Sequence, residues 1–486
     1  MQRLDGGNPE GAAPTTNSDD AIVAARLDRL PHSRLHRRMM LACALALFFD
    51  SCDINTFASA APALIHAWGM SIHQIALVTS ASFIGMFFGA TLGGMLSDRL
   101  GRKRSLIGFV AISSLASLAT ALVNTPDGLF ATRVITGFGI SAGMVTIMTY
   151  ISELYPAQSR GTWLSWAMVI NLSAIPLTNF IARLVVPLGD NGWRYVFIWG
   201  GLGIVFMALT PLLPESPRWL MRAGHRHRAE SVLGRMEDEV SREHGPLPAL
   251  KILAVSTAGH ASWTAMFGRL YLPRTLTLCA IWLLQTLGFY GFEAWVPTLL
   301  VQHGFTLVHS LTYFTLINIG APLGALIAVI FADRFERKHT IAASALLIAV
   351  SGLLYGLSFE PLLIVGFGFL VGMLTQTFAT LLYSYTPEQF PTDMRTSATG
   401  FCYGAGRLAN VANAFVIAAI YTNSGYIAVF CYIASAWFLT AIITIALGPR
   451  TTGRNLETIN PAVLPEDVSA TVPNRPYMEM RREGGS

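Results

Sequence analysis

Asp50 and Asp53 stand three positions apart in a segment that is otherwise apolar, from Met39 to Leu64. On a helix that spacing puts both carboxylates on one face. A charge at bilayer depth is costly and survives where it meets a partner, a water-filled cavity or a substrate path. The chemistry open to such acids is proton uptake and release: desolvation favours the protonated form and a neighbouring cation the ionised one. The plainer alternative is a pair of acids that only fixes packing. A cleaved leader (Arg37-Arg38, an apolar run, then Ala58-Ser59-Ala60) is a poorer reading, because the acids interrupt the run and equally hydrophobic segments follow.

Two arginines lie at comparable depth. Counted inward from Met39, Asp53 is ~21 Å deep; counted from the other side at Gly128, Arg133 is ~7.5 Å deep. In a ~30 Å hydrocarbon core these depths nearly meet, so an Asp53–Arg133 pair is expected. Arg407, in Gly404-Ala405-Gly406-Arg407-Leu408, falls near the midplane of its own segment. Asp50, ~16 Å from the inner face by the same rise per residue, is its expected resting partner. A substrate carboxylate would then displace Asp50 through the two-pronged bond that a guanidinium makes and an ammonium does not. A permanent structural pair is the alternative. The stretch Gln285 to Pro297 supplies Gln285, Tyr290 and Trp295 as cavity-lining candidates, with aromatics to stack on a flat substrate. The same aromatics suit a lipid-facing or core position. Glu293 is either an outer gate or an interfacial residue. Asn171, Asn179, Asn318, Gln376 and Asn410 would bind substrate or bond helix to helix.

The elements that position these groups are membrane spans. The chain has 486 residues, 53% hydrophobic and 13% charged. That is an all-α integral membrane composition, since soluble domains carry about 25% charged residues. Spans read at 41–63, 75–97, 105–123, 128–152, 162–183 and 193–213, then 275–300, 309–332, 339–358, 361–384, 397–421 and 426–448, twelve in all. The stretch 1–38 is a cytoplasmic N-terminus, disordered to about residue 25 and basic from Arg26 to Arg38. Residues 214–273 form a central loop with amphipathic helices, one at Arg226–His244 and an interfacial piece at Trp263–Phe267; 451–486 is a tail. Apart from Arg133, Arg407, Arg183 and Arg194, the Lys and Arg residues lie in the termini and alternate loops, which places both termini inside. Five scattered cysteines predict neither disulfide nor metal site, no basic domain suggests nucleic acid, and no catalytic constellation suggests an enzyme.

The halves 39–213 and 274–450 repeat. Asp98 and Asp333, Glu153 and Glu388, Arg160 and Arg395, and Pro214 and Pro449 are each 235 positions apart. Two related six-helix bundles follow, with a substrate path at their interface near the midplane.

Gly94-Met95-Leu96-Ser97-Asp98-Arg99-Leu100-Gly101-Arg102-Lys103 resembles the signature between helices 2 and 3 of the major facilitator superfamily; Val329–Lys338 is a second copy that lacks the glycines. Pro214–Leu220 resembles a motif of sugar porters, organic ion transporters and aromatic acid symporters. The resemblance covers about residues 39–458 and implies a facilitator fold worked by alternating access. It implies a cytoplasmic gate of ion pairs among Asp98, Arg99, Arg102, Glu153, Arg160, Glu215, Arg218, Asp333, Arg334, Glu388 and Arg395. Asp50-x-x-Asp53 resembles the first helix of aromatic acid:proton symporters, whereas sugar porters match at Asp53 alone. An arginine at position 407 resembles organic anion transporters and the same symporters. The expected function is proton-coupled symport of a small organic anion, an aromatic monocarboxylate of benzoate or nicotinate type, by a monomer in the inner membrane. The proton gradient would drive it, with no cofactor. A sugar or polyol symporter is the alternative, and a transporter-like sensor a distant third.

Overall fold

The computed structural model describes residues 17–156, 160–250, 266–331, 336–390 and 394–449. The described chain is helical throughout. A short helix α1 (Asn17–Asp28) precedes α2 (Arg34–Trp68), α3 (Ile72–Leu100), α4 (Arg102–Thr120), α5 (Pro126–Leu154), α6 (Arg160–Val185) and α7 (Gly192–Gly201), the last continued as a 3₁₀ segment to Leu212. Two loop helices follow, α8 (Pro217–Arg222) and α9 (Arg226–His244). The second half comprises α10 (Leu272–Glu293), α11 (Val296–Gln302), α12 (Leu307–Asn318), α13 (Gly320–Phe331), α14 (Arg337–Leu357), α15 (Pro361–Glu388) and α16 (Arg395–Leu447).

Local sequence accounts for the boundaries. Ser71 caps α3 in a reciprocal box with Gln74, Thr125 caps α5 ahead of Pro126, and Gly69 ends α2 in the left-handed region at φ 64°. The two spans expected at 275–300 and 309–332 are each broken. A proline ring clashes with the carbonyl four residues back and offers no N–H to it. For Pro297 that carbonyl belongs to Glu293, the last residue of α10; for Pro322 it belongs to Asn318, the last of α12. Ten helical stretches among the described residues are long and apolar enough to cross a membrane. The 19-residue α4 is not one of the ten, and α16 runs 53 residues through a break at Gly425, where φ is 80° and ψ −173°.

Residues 17–25 depart from the disorder expected of them. Arg26 donates to Glu230 and Glu237, both at 2.6 Å, Arg29 to Glu237 at 2.7 Å, and Arg38 pairs with Glu239, so α1 and the start of α2 are held against α9. Val23 and Leu27 bury beneath these pairs in a core shared with Leu233 and Met236. The acidic partners lie some 200 residues away, which is why composition alone reads this stretch as solvated.

The repeat appears as repeated contacts. Arg102 pairs with Glu153 and Arg337 with Glu388, equivalent positions in the two halves. Tyr150 donates to the Pro214 carbonyl and Tyr385 to that of Pro449. Backbone packing repeats too. A Cβ on Gly89 of α3 would lie 2.2 Å from the Phe138 oxygen of α5, and one on its mate Gly324 of α13 would lie 1.9 Å from the Met373 oxygen of α15. Only a missing side chain allows helices this close. Within the first half α2 packs on α6 and α7, and α3 on α5; within the second α10 and α14 pack on α16. The halves meet through α3 with α16, α6 with α12, and α2 with α11.

Candidate transport site

The two-fold likeness fails at the buried charges. Asp53 and Arg133 have Gly288 and Gly368 as their mates 235 positions on. The ion pair therefore belongs to the first half alone. Arg133 is 1% exposed. Its Nη1 lies 3.2 Å from Asp53 Oδ1, its Nη2 donates to the Asp53 carbonyl at 3.4 Å, and its Nε to Ser82 Oγ at 3.2 Å. Asp53 Oδ1 also accepts from Ser117 Oγ at 2.7 Å and Thr56 Oγ1 at 3.3 Å. Asp53 Oδ2 is buried with no hydrogen-bond partner among the described residues. The carboxylate is thus satisfied on one oxygen and left open on the other. Gly200 of α7 makes this approach possible, since a Cβ there would stand 2.9 Å from Asp53 Oδ1.

Asp50 is buried, and its Oδ2 likewise has no hydrogen-bond partner among the described residues. It faces Gly143 of α5, where a Cβ would sit 3.3 Å from Oδ2. The expected Asp50–Arg407 pair is not made in this conformation. Asp50 points into its own half, whereas Arg407 reaches across the interface from α16. There its Nη1 lies 3.2 Å from Met86 Sδ of α3. Its other nitrogens bond to Tyr403 Oη, Nε at 3.1 Å, and the guanidinium carbon stands 4.9 Å from the Tyr403 ring centroid. Tyr403 packs edge-on to Trp282 at 5.1 Å between centroids, and Trp282 in turn to Tyr383 at 5.0 Å. Arg407 is 9% exposed and has no carboxylate partner among the described residues.

A cavity of about 40 Å³ lies between the halves, lined by Asn55, Thr79, Ser82, Met86, Tyr290 and Glu293 among others. A single water needs ~10–15 Å³ of such space. The space therefore suits water, and a larger guest needs the halves to part. Tyr290 lines it and packs edge-on to Phe83 of the other half at 4.8 Å. Glu293 lines it as well, beside Asn318, and so is not at a lipid interface.

The remaining binding candidates scatter. Trp295 is 1% exposed within the apolar core and is not among the cavity-lining residues. Gln285 donates to Thr286 Oγ1 at 2.7 Å. Asn171 accepts from Ser51 Oγ at 2.5 Å and Asn179 from Ser59 Oγ at 2.9 Å, both tying α6 to α2. Asn318 donates to the Phe314 carbonyl at 3.1 Å in its own helix. Gln376 is half-buried on α15, and Asn410 is fully buried on α16. Ser82, Ser117, Met86, Tyr383 and Tyr403 had no part in the sequence argument. Of these only Tyr403 carries a signal, four residues before Arg407 on the same helix face.

At the end bearing α8 and α9, Arg102 joins Asp98 at 2.6 Å and Glu153 at 2.9 Å. Ser216 Oγ adds a bond to Glu153 Oε2 at 2.5 Å. The anion at the start of α4 is Glu215, which accepts the N–H groups of Arg102 and Lys103 at 2.8 and 3.0 Å. Asp98, named with the gate residues by sequence, bonds to the Arg102 side chain. Gly101, at φ 99°, admits Glu215: a Cβ would sit 2.6 Å from its Oε2. Arg99 is exposed and Arg218 lies on α8. Arg160 and Arg395 begin α6 and α16; their side chains, and Asp333 and Arg334 altogether, lie outside the described residues, as does most of the 263–267 piece. At the opposite end Arg183 Nε donates to Thr312 Oγ1 at 2.7 Å, joining α6 of one half to α12 of the other.

Two repeated bundles of membrane-crossing helices, with buried charges at their interface, define a transporter of the major facilitator type. The chain belongs to the sugar (and other) transporter family, whose profile matches residues 48–463; this is a family of transporters and not of enzymes. It is 42% identical over 436 residues to the "Putative metabolite transport protein YyaJ" of Bacillus subtilis (strain 168), covering 89% of this chain and 97% of the relative. It is 27% identical to the niacin transporter NiaP of Acinetobacter baylyi (strain ATCC 33305 / BD413 / ADP1), covering 90% and 99%. Among solved structures it resembles the xylose transporter XylE from E. coli in a partially occluded inward open conformation, with TM-score 0.69 and 19% identity over 87% of this chain and all of that one. That likeness is one of fold.

Proposed function

We propose that this protein is a secondary active transporter that couples protons to the movement of a small organic anion, an aromatic monocarboxylate of benzoate or nicotinate type. The observation that carries the reading is Arg407. It is a buried guanidinium at the interface of the halves, bonded to a tyrosine hydroxyl and a thioether and to no carboxylate among the described residues. A buried cation with only neutral partners is expensive. A substrate carboxylate supplies the missing charge, and the nearby rings of Tyr403, Tyr383 and Trp282 give an aromatic ring surfaces to stack on. Relatives named for niacin and for 4-hydroxybenzoate transport, the latter 28% identical, support the same chemistry.

Asp53 is the proposed proton carrier, with Asp50 as second candidate. Protonation of Asp53 weakens its hold on Arg133, and loss of that pair frees α5 to move relative to α2. The halves rock about the interface, so that the Arg183–Thr312 end and the α8–α9 end open in turn. Counting α4 and both parts of α16, the chain crosses the inner membrane twelve times, with both termini and α8–α9 in the cytoplasm. The protein works as a monomer. A sugar substrate is the second reading, favoured by the Asp53–Arg133 pair, which needs no anion. Counterflow in proteoliposomes with labelled benzoate, nicotinate, 4-hydroxybenzoate, a dicarboxylate and xylose decides between them. Exchange of an aromatic acid is expected; xylose exchange with no competition from the acids would overturn the reading.

A further inference from the structure

A cavity of about 580 Å³ lies far from the interface of the halves. It lies between the start of α4, the end of the 3₁₀ segment after α7, and α9. Its lining has two characters. Ile107, Leu212, Leu220 and Val232 make an apolar wall. Lys103, Arg104, Arg228 and Arg235 supply cations. The two acids present are already engaged: Glu215 accepts backbone N–H groups at the start of α4, and Glu239 pairs with Arg38. Arg104 and Arg228, by contrast, make no side-chain hydrogen bond or ion pair among the described residues; Lys103 lies in the field of Glu215 without a side-chain bond to it, and Arg235 spends one N–H on the Ser231 carbonyl. The cavity therefore offers surplus positive charge beside greasy surface. Leu212, at its edge, is 37% exposed at the end of a 3₁₀ segment in which Gly203 and Phe206 are the buried residues.

That combination fits an amphiphile with an anionic head. We infer that the cavity binds the phosphate head of an anionic phospholipid of the adjacent leaflet. Lys103, Arg104 and Arg228 hold the phosphate, and the upper acyl chain lies along Ile107 and Leu212. Basic pockets at the cytoplasmic ends of membrane helices recognise such heads through summed charge rather than a single bond. The lipid would bridge α4 of the first bundle to α9, adding a tie that the ion pairs to α1 do not provide. The inference rests on the reading of α8–α9 as the cytoplasmic end only in naming the leaflet.

Native mass spectrometry of the full-length protein in detergent tests it, with dioleoyl phosphatidylglycerol, dioleoyl phosphatidylcholine and inorganic phosphate as the probes. The wild type is expected to retain phosphatidylglycerol in preference to phosphatidylcholine. Replacing three surface cations weakens such binding on the order of a hundredfold, so Lys103→Gln/Arg104→Gln/Arg228→Gln should lose the preference. Arg242→Gln/Arg269→Gln, which removes exposed cations elsewhere, should keep it. If the triple variant does not fold, Arg228→Gln alone, on the exposed face of α9, is expected to lower affinity by about fivefold. Equal retention of the two lipids by the wild type overturns the site, as does full phosphatidylglycerol binding by the triple variant. Protection by inorganic phosphate without lipid retention overturns the lipid assignment. Counterflow of aromatic acids needs none of these outcomes, so the transport reading and this one fail separately.

Discussion

Arg407 and Asp53 are both buried, yet their surroundings differ. Asp53 has a cationic partner in this conformation, while Arg407 has a tyrosine and a sulfur. Arg407→Lys keeps the charge but loses the planar fork, so apparent affinity for the best aromatic acid should fall at least tenfold while the protein still reaches the membrane. Near-normal uptake by this variant would remove Arg407 from the binding site. Asp53→Asn imitates the protonated carboxyl. Acid-driven accumulation should disappear and exchange persist; accumulation surviving in both Asp53→Asn and Asp50→Asn would move the proton site elsewhere. Depth counting along α2 and α5 put Asp53 and Arg133 at one level, since helices entering from opposite faces fix the levels of their residues, and the resemblance to facilitators implied the pair as well. Depth counting could not foresee the Arg407 contacts. Level does not give azimuth, and Asp50 and Arg407 at one depth face different helices.

Helix spacing and ends show the same division. Proline and glycine positions were visible, but their consequences needed the neighbours. Gly85 and Gly89 on α3 match Gly320 and Gly324 on α13 at the offset shown by the charged motifs, and this spacing is the closest sequence signal for the tightest packing in the molecule. Gly89→Ala pushes a methyl into the Phe138 carbonyl, which a shift of α3 must relieve. Overpacking of this kind costs about 1–3 kcal/mol, and a lowered melting temperature of the purified protein would register it. The docking of α1 on α9 makes a different test. Burial pushes the Glu237 carboxyl up, but hydrogen bonds from Arg26 and Arg29 outweigh it and hold the group below its ordinary 4.5. A carboxyl depressed in the folded state stabilises above its unfolded value and loses that contribution as pH falls through the folded one. The protection factor over Asn17–Asp28, exchange corrected for the intrinsic pH-dependent rate, should therefore be high near neutrality and fall as the pH drops below 4.5 and this depressed carboxyl protonates. Exchange that is already fast at pH 7 would show that the helix is not docked.

Across the whole molecule, the two halves share a framework and divide the chemistry. The Arg–Glu and Tyr–Pro contacts recur in both, whereas Asp53 and Arg133 give way to glycines in the second half, which carries Arg407 instead. Proton handling in one bundle and anion binding in the other would make rocking the step that couples them. The Arg183–Thr312 contact shows the end away from α8 and α9 joined in this conformation. Cysteines at those two positions should cross-link in the resting protein and block transport until reduced. Asp98 bears on the other end. Its carboxylate holds Arg102, which holds Glu153, and its carbonyl accepts the Trp219 indole N–H at 2.7 Å. Asp98→Ala should weaken closure of the α8–α9 end and so lengthen the time during which the opposite end is shut. The fraction cross-linked between positions 183 and 312 should then rise above that of the parent cysteine pair. An unchanged fraction would mean that the α8–α9 end closes without Asp98.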